Sequence, residues 1–316
     1  MCTNDIDTNK SVARWIDPGA VWMPGSVPLL ARQQTVPLMT TDADPARLYL
    51  DLMKKTLLFS LWKDPGKPLE TFYYRVPAPL RPLARLTVSL LRLVHLRLVW
   101  YVEYSEHERE VGRTWPSLGD TMIGRKRLDN IQLCVEKALR DQIPGDLIET
   151  GVWRGGACIF MRAILAAYGD RNRRVFVADS FGGLPKPSEE KYPHDQGDSL
   201  HIEEYLAVSQ EQVASNFRKY GLLDNRVVFL KGWFKDTLPT AAIDKLGVMR
   251  LDGDMYESTA DALKALYPKL SQGGFCIIDD YALPGCRQAV DDYRRHHGIE
   301  CPLLEVDWTG RYWRKE

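Results

Sequence analysis

Asp146-Leu-Ile-Glu149-Thr-Gly151-Val-Trp-Arg-Gly155-Gly156-Ala157 is the stretch that decides the fold. An apolar run ends in an acidic residue, meets glycines spaced G-x-x-x-G-G, and continues as helical text near 156–168. Glycines at a strand-to-helix turn let backbone approach a ligand closely, and open parallel sheets bind ligands beyond the C-terminal ends of their strands. Taken alone, such a turn is equally a tight connection with no ligand. Dinucleotide sites want G-x-G-x-x-G to seat a pyrophosphate on the helix N-terminus. The spacing here differs, and Glu149 would repel a pyrophosphate while suiting the cationic amino-acid end of S-adenosylmethionine.

The same alternation repeats outward from that turn. Apolar runs follow at Arg174-Val-Phe-Val-Ala-Asp179, Arg226-Val-Val-Phe-Leu-Lys-Gly232, Gly247-Val-Met-Arg-Leu-Asp252, Gly274-Phe-Cys-Ile-Ile-Asp279-Asp280 and Pro302-Leu-Leu-Glu-Val-Asp307. Helical stretches lie near 209–221, 257–270 and 285–297. Strands that are apolar on both faces and separated by helices imply a parallel sheet covered on both sides. Residues 302–307 and 310–315, joined by Trp308-Thr-Gly310, predict an antiparallel hairpin at one edge. The expected class is α/β, a doubly wound, mostly parallel seven-stranded sheet with an antiparallel last strand.

The strand ends carry the chemistry. Asp179-Ser180-Phe-Gly-Gly places an acidic side chain where it can accept hydrogen bonds from both hydroxyls of a ribose, or can cap a helix. Gly232-Trp233-Phe234 offers aromatic faces for an adenine ring or for core packing. Arg250-Leu-Asp252-Gly-Asp254-Met-Tyr256 and Ile277-Ile-Asp279-Asp280-Tyr281 put carboxylates at two neighbouring strand ends. Such carboxylates repel one another and are costly to desolvate unless a cation sits among them, the alternative being helix caps. Oxygen-only ligation selects a hard ion, Mg²⁺ first, with Mn²⁺ or Ca²⁺ as alternatives.

Upstream, residues 1–44 mix Pro, Asp and Thr with isolated apolar residues and read as an extended arm. From Asp44, an N-cap candidate, Leu48, Leu50, Leu52 and Leu57 have helical spacing. Leu80 to Tyr104 is dense in Leu and Val yet carries Arg81, Arg85, Arg92, His95 and Arg97. A membrane centre penalises each such charge by roughly 2.5 kcal/mol or more. The segment therefore reads as an amphipathic helix that packs on the domain, on a second subunit, or at a membrane interface. The expected division is an arm over 1–44, a helical region over 45–113 and a catalytic domain over 114–316.

Composition narrows the partners. The 42 basic and 42 acidic side chains balance, so no net field draws in nucleic acid. Six scattered cysteines with no zinc-like spacing fit buried free thiols in a reducing cytosol. The N-terminus lacks a basic and then apolar leader pattern, and a cytoplasmic protein acting on a small molecule is expected.

With those strand ends in place, the chain resembles the macrocin O-methyltransferase family, which methylates sugars on antibiotics and related natural products. The carrying motifs are Thr121-Met122-Ile-Gly, Arg127-Leu-Asp-Asn, the Glu149 turn, Asp179-Ser-Phe-Gly-Gly-Leu-Pro, Lys231-Gly-Trp-Phe-Lys-Asp-Thr-Leu-Pro, Leu251-Asp-Gly-Asp-Met-Tyr-Glu-Ser-Thr and Asp279-Asp-Tyr. The resemblance implies a Rossmann-like methyltransferase fold with a helical N-terminal extension, and a homo-oligomer. It implies that Asp252, Asp279 and Asp280 bind Mg²⁺, with Asp254 as general base. It also implies that Met122, Glu149, Gly151, Gly155, Asp179, Ser180, Trp233 and Asp252 line the S-adenosylmethionine site, beside a glycosylated acceptor. The first 44 residues and the segment near 75–105 depart from the family's pattern by their length.

His194, in the Pro-rich loop after the second strand, is a rival base or a solvated residue of a substrate lid. Three other activities compete on the sequence: a catechol-type O-methyltransferase, a nicotinamide-dependent oxidoreductase and a non-catalytic binding partner. The glycine spacing and the clustered aspartates weigh against the oxidoreductase.

Overall fold

A computed structural model describes residues 44–316 apart from 71, 72, 74, 75 and 102, so all but the last residue of the arm expected over 1–44 lies outside the described residues. The N-terminal elements are α1 (Pro45–Leu57), β1 (Lys67–Pro68), α2 (Arg81–Leu93), β2 (Val99–Trp100) and α3 (Glu106–Glu110). The remainder alternates: α4 (Gly124–Arg140), β3 (Asp146–Thr150), α5 (Gly156–Ala167), β4 (Val175–Asp179), α6 (Gln210–Lys219), β5 (Val227–Lys231), α7 (Phe234–Thr237), β6 (Leu246–Leu251), α8 (Tyr256–Leu266), β7 (Leu270–Ile278), α9 (Pro284–His296), β8 (Leu304–Glu305) and β9 (Arg311–Arg314).

The sheet order is β5-β4-β3-β6-β7-β9-β8. The strands from β5 to β7 run parallel, and β9 is antiparallel to both β7 and β8, as the hairpin at Trp308-Thr-Gly310 predicts. Chain order reverses between β3 and β6, which makes the C-terminal edge of those strands the natural ligand crevice.

Alternation along each strand feeds two cores. Leu147, Val175, Val177, Val248 and Ile277 face the layer of α1, α4, α5 and α6, where Leu50, Ile131, Phe160 and Phe217 are buried. Ile148, Phe176, Met249, Cys276 and Ile278 face α8 and α9, where Leu263, Val290 and Trp313 are buried. The five described cysteines, Cys134, Cys158, Cys276, Cys286 and Cys301, are free and buried.

Asp44 caps α1, its side chain accepting from the Ala46 N–H at 3.0 Å. Of the four leucines expected there, Leu50 and Leu57 face inward with Met53, while Leu48 and Leu52 are exposed. No element is expected over 124–140, where α4 forms; its apolar signal (Leu128, Ile131, Val135, Ala138) is broken up by charged neighbours. The helix expected over Leu80 to Tyr104 is shorter than its apolar text. It stops at Leu93, His95 takes φ 59°, and the chain returns as β2 antiparallel to β1. Among the described residues, no helix is long and apolar enough to cross a membrane.

Candidate active site

A cavity of about 1640 Å³ opens at the C-terminal edge of β3, β4, β6 and β7. That exceeds the ~300–1,000 Å³ of a one-ligand pocket and leaves room for two reactants.

The glycine turn forms one wall. Gly151 has φ 77°, and a Cβ there would overlap the Asp252 carbonyl oxygen. Only glycine lets β3 and β6 approach so closely at the cavity floor. Gly155 (φ 84°) does not line the cavity; a Cβ there would sit 2.7 Å from Val213 of α6, so its place is a packing contact under α5. Asp179 lines the cavity and ties the turn to the end of β4, its carboxylate accepting from the Val152 and Phe181 N–H groups, each at 2.7 Å. Burial raises its pKa against the pull of those N–H groups. Ser180 donates to the Gly183 carbonyl at 2.6 Å. Met122, Ser180 and the exposed Trp233 complete this end of the cavity. Trp153, Phe181 and Asp254 all adopt positive φ (47°, 56° and 54°), backbone strain gathered around one crevice.

Beyond the turn stand the carboxylates. One oxygen from each of Asp252, Asp254 and Asp280 lies within 4.8 Å of the others, all three side chains half-buried and facing the cavity. The Asp254 N–H donates to Asp280 at 3.2 Å. Desolvation, then the neighbouring carboxylates, push Asp252 up to about 6 and Asp254 and Asp280 well above the usual carboxylate range. Oxygen donors that are gathered, partly desolvated and mutually repelling fit a hard divalent cation.

Asp279 belongs to a different arrangement. Arg127 holds one of its carboxylate oxygens and Arg250 the other, both through short bonds. Arg250 is fully buried; it also bonds Glu149 and, at 3.0 Å, Asp252. Arg127 reaches Asp307 at 3.1 Å as well, tying α4 to the β8–β9 hairpin. Glu149, whose other oxygen accepts from Cys158 at 2.9 Å, is pushed up to about 7 by burial despite Arg250. These two arginines hold the carboxylates of the site in place, a part that the sequence reading does not assign to them. Arg250 has a legible signal, a charge inside an apolar strand that must find partners. Arg127 stands in a motif of the resemblance, but its partners are brought to it only by the fold.

The loop over 182–209 covers the cavity and is pinned at two points. The first pin is Asp195, buried, which caps α8 by accepting from the Tyr256 N–H at 2.6 Å. At the second, Tyr205 stacks on Trp115 at 5.3 Å, packs on Trp153 and donates to the Pro116 carbonyl. His194 points away from the main cavity into a separate hollow, 6.2 Å from the Tyr256 ring. The remaining wall comes from the N-terminal region through Lys67, Trp100, Glu103 and Tyr104.

The model of the family described as Macrocin-O-methyltransferase (TylF) matches residues 46–315. Over 277 residues the chain is 51% identical to an 8-demethyl-8-(2,3-dimethoxy-alpha-L-rhamnosyl)-tetracenomycin-C 4'-O-methyltransferase of Streptomyces olivaceus, covering 87% of this chain and 95% of the relative. It is 53% identical over 274 residues to the mycinamicin III 3''-O-methyltransferase of Micromonospora griseorubida, covering 85% and 96%. Among solved structures, that of the O-methyltransferase NovP is similar, with a TM-score of 0.73 at 47% identity, covering 85% of this chain and 99% of that one.

Proposed function

The chain belongs to the macrocin O-methyltransferase family and is an O-methyltransferase, and from that premise we propose that it methylates a sugar hydroxyl of a glycosylated natural product, using S-adenosylmethionine and Mg²⁺. The observation that carries this reading is the meeting, in one two-reactant cavity, of the Gly151 turn with the cluster of Asp252, Asp254 and Asp280.

S-adenosylmethionine supplies an electrophilic methyl group and leaves as S-adenosylhomocysteine, and Mg²⁺ supplies Lewis acidity that makes a sugar hydroxyl a better nucleophile. Gly151, Asp179, Ser180, Met122 and Trp233, which line one end of the cavity, would hold the cofactor there. Glu149 would act through Arg250, holding that guanidinium against Asp252, a carboxylate that would suit the cofactor's ammonium. Asp252 and Asp280 hold the cation. Asp279, beside Asp280 on the same strand end, would join them as a donor only by giving up one of its arginine bonds. Asp254, which faces the cavity beside the other two carboxylates, takes the proton of the acceptor hydroxyl. The loop over 182–209 excludes water from the reactants.

The test is turnover of purified enzyme with S-adenosylmethionine and a panel of glycosylated and phenolic acceptors, followed by mass spectrometry. One added methyl on the sugar, lost with chelator and restored by Mg²⁺, is expected. Methylation confined to phenols would reject the sugar, and normal turnover by metal-free enzyme would reject the cation.

A further inference from the structure

The edge of the sheet presents its groups in a linear order. Asp179 closes β4, the Gly151 turn follows β3, Asp252 follows β6, and Asp279 and Asp280 follow β7. Because β9 runs antiparallel to β7 and starts at Arg311, opposite Ile278, the turn before it comes to the same edge. Trp308 and Thr309 in that turn line the cavity together with Asp279 and Asp280. With the cofactor at the β4 and β3 end, an acceptor reaches the cation from the side of this turn.

The turn is held rigidly. Asp307 is buried and accepts from the Thr309 N–H at 3.0 Å, the Gly310 N–H at 2.7 Å and Arg127 at 3.1 Å. The Thr309 hydroxyl donates to the Asp279 carbonyl at 2.9 Å, which fastens the turn to the strand end that carries the carboxylates. The indole N–H of Trp308 donates to the Val111 carbonyl at 2.8 Å, so the ring plane is fixed. Just past Val111, the Arg113 guanidinium lies over that ring, 4.7 Å from its centroid. Gly112 between them takes φ 65°, and a Cβ there would overlap the Arg127 guanidinium, so the chain passes close enough to the turn to deliver Arg113.

Arg113 is exposed, lines the cavity and forms no ion pair among the described residues. Glu108, on the same wall, is already engaged: its carboxylate accepts from the Ser105 N–H and hydroxyl, each at 2.7 Å. A guanidinium stacked on an aromatic ring keeps the N–H donors along its edge for oxygen atoms. The indole beside it offers an apolar surface. A sugar matches both, with oxygen atoms around its rim and C–H groups on its faces.

We propose that Arg113, held by Trp308, recognises the sugar of the acceptor, donating to oxygen atoms beyond those at the cation while the indole supports the C–H groups. This role rests on the sugar-methylating reading and adds to it the pair of residues that selects the sugar. A fixed donor and a fixed ring on the far side of the carboxylates would aim one hydroxyl at the cation.

Steady-state methyl transfer to the 4-nitrophenyl glycosides of common hexoses and 6-deoxyhexoses, and to their monodeoxy analogues, tests this role. S-adenosylhomocysteine affinity is read by calorimetry, Mn²⁺ affinity by electron paramagnetic resonance and folding by circular dichroism. Arg113→Met keeps an aliphatic stem on the indole and removes the donors at an exposed position. It is expected to raise the acceptor KM about tenfold or more, with kcat and both affinities within about threefold. Arg113→Lys should recover little, since an ammonium lacks the planar fork. Trp308→Phe keeps a ring but loses the tie to Val111, and should raise KM by a smaller factor. The monodeoxy glycoside that costs the wild type most should cost Arg113→Met little further, the mark of a direct contact. An unchanged KM in Arg113→Met, a loss of kcat or of either affinity as large as the change in KM, or fully additive losses with every deoxy analogue would each overturn the role. Wild-type enzyme that methylates none of the glycosides would reject the sugar reading itself, and this role with it.

Discussion

Arg250 and Glu149 form a fully buried ion pair directly beneath the cofactor turn, and the same guanidinium extends to Asp252 and Asp279. Removing the cation from a buried network leaves anions that nothing compensates, a loss of about 3–5 kcal/mol. Arg250→Met is expected to lower the unfolding free energy by an amount of that order, and the denaturation midpoint with it. Arg250→Lys should recover only part, because one ammonium cannot fork to three carboxylates. Urea titrations of the two variants check this, and a wild-type midpoint for Arg250→Met would show the pair to be dispensable.

Asp254→Asn separates proton transfer from binding. Asparagine tolerates the φ of 54° and keeps the backbone N–H that donates to Asp280. Loss of a general base should lower kcat by about 10²–10⁴-fold, while Mn²⁺ affinity, read by electron paramagnetic resonance, and S-adenosylhomocysteine affinity, read by calorimetry, change little. An equal collapse of Mn²⁺ affinity would make Asp254 a ligand instead of the base.

The aspartate cluster sets a pH dependence with a definite sign. Asp252, Asp254 and Asp280 have folded-state pKa values raised above their unfolded ones, Asp252 to about 6. The folded protein then binds more protons than the unfolded chain, so stability falls as pH rises from the ordinary carboxylate range upward. For Asp252 the loss runs from about pH 4 to 6. Metal-free protein should melt lower at pH 8 than at pH 5 by this contribution, and Asp280→Asn should reduce the difference. Added Mg²⁺ should raise the melting temperature more at pH 8, where protons no longer compete for its ligands. Scanning calorimetry with chelator or Mg²⁺ at the two pH values reads both.

Two glycines of one turn should behave differently. Gly151→Ala forces a methyl into the Asp252 carbonyl and is expected to abolish S-adenosylhomocysteine binding in calorimetry. Gly155→Ala meets Val213 outside the cavity, so it should destabilise by about 1–3 kcal/mol yet leave affinity within a few-fold in whatever protein folds.

The lid offers a neighbouring pair. His194→Ala should leave kcat unchanged, since the ring faces a separate hollow. Asp195→Ala removes the cap of α8, costing about 1 kcal/mol, and should raise the acceptor KM by loosening the loop. Steady-state kinetics on one methylated acceptor distinguishes them, and a large kcat loss for His194→Ala would reinstate it as a base.

The sheet was legible because each strand is an apolar run closed by a turn, and those local signals survive in the three-dimensional order. The carboxylates were legible because acidic residues after apolar runs land on one edge. What lay outside local reach is pairing across the chain. Arg127 and Asp307 stand 180 positions apart, and nothing near either announces the other. Asp195 looks like any loop aspartate until α8 arrives beneath it. Trp233 was singled out by its place at a strand end, whereas Met122 was reached through a resemblance, since an isolated thioether side chain has no spacing to read.

The cavity has two walls of different origin: the cofactor turn and the aspartates hang on the central sheet, whereas Lys67, Trp100 and the loop over 182–209 belong to segments outside it. The evolutionary consequence is modularity. A lineage can exchange the outer wall to take a new acceptor without disturbing the side chains that the central sheet carries. Such an enzyme diversifies by grafting its periphery onto an inherited engine.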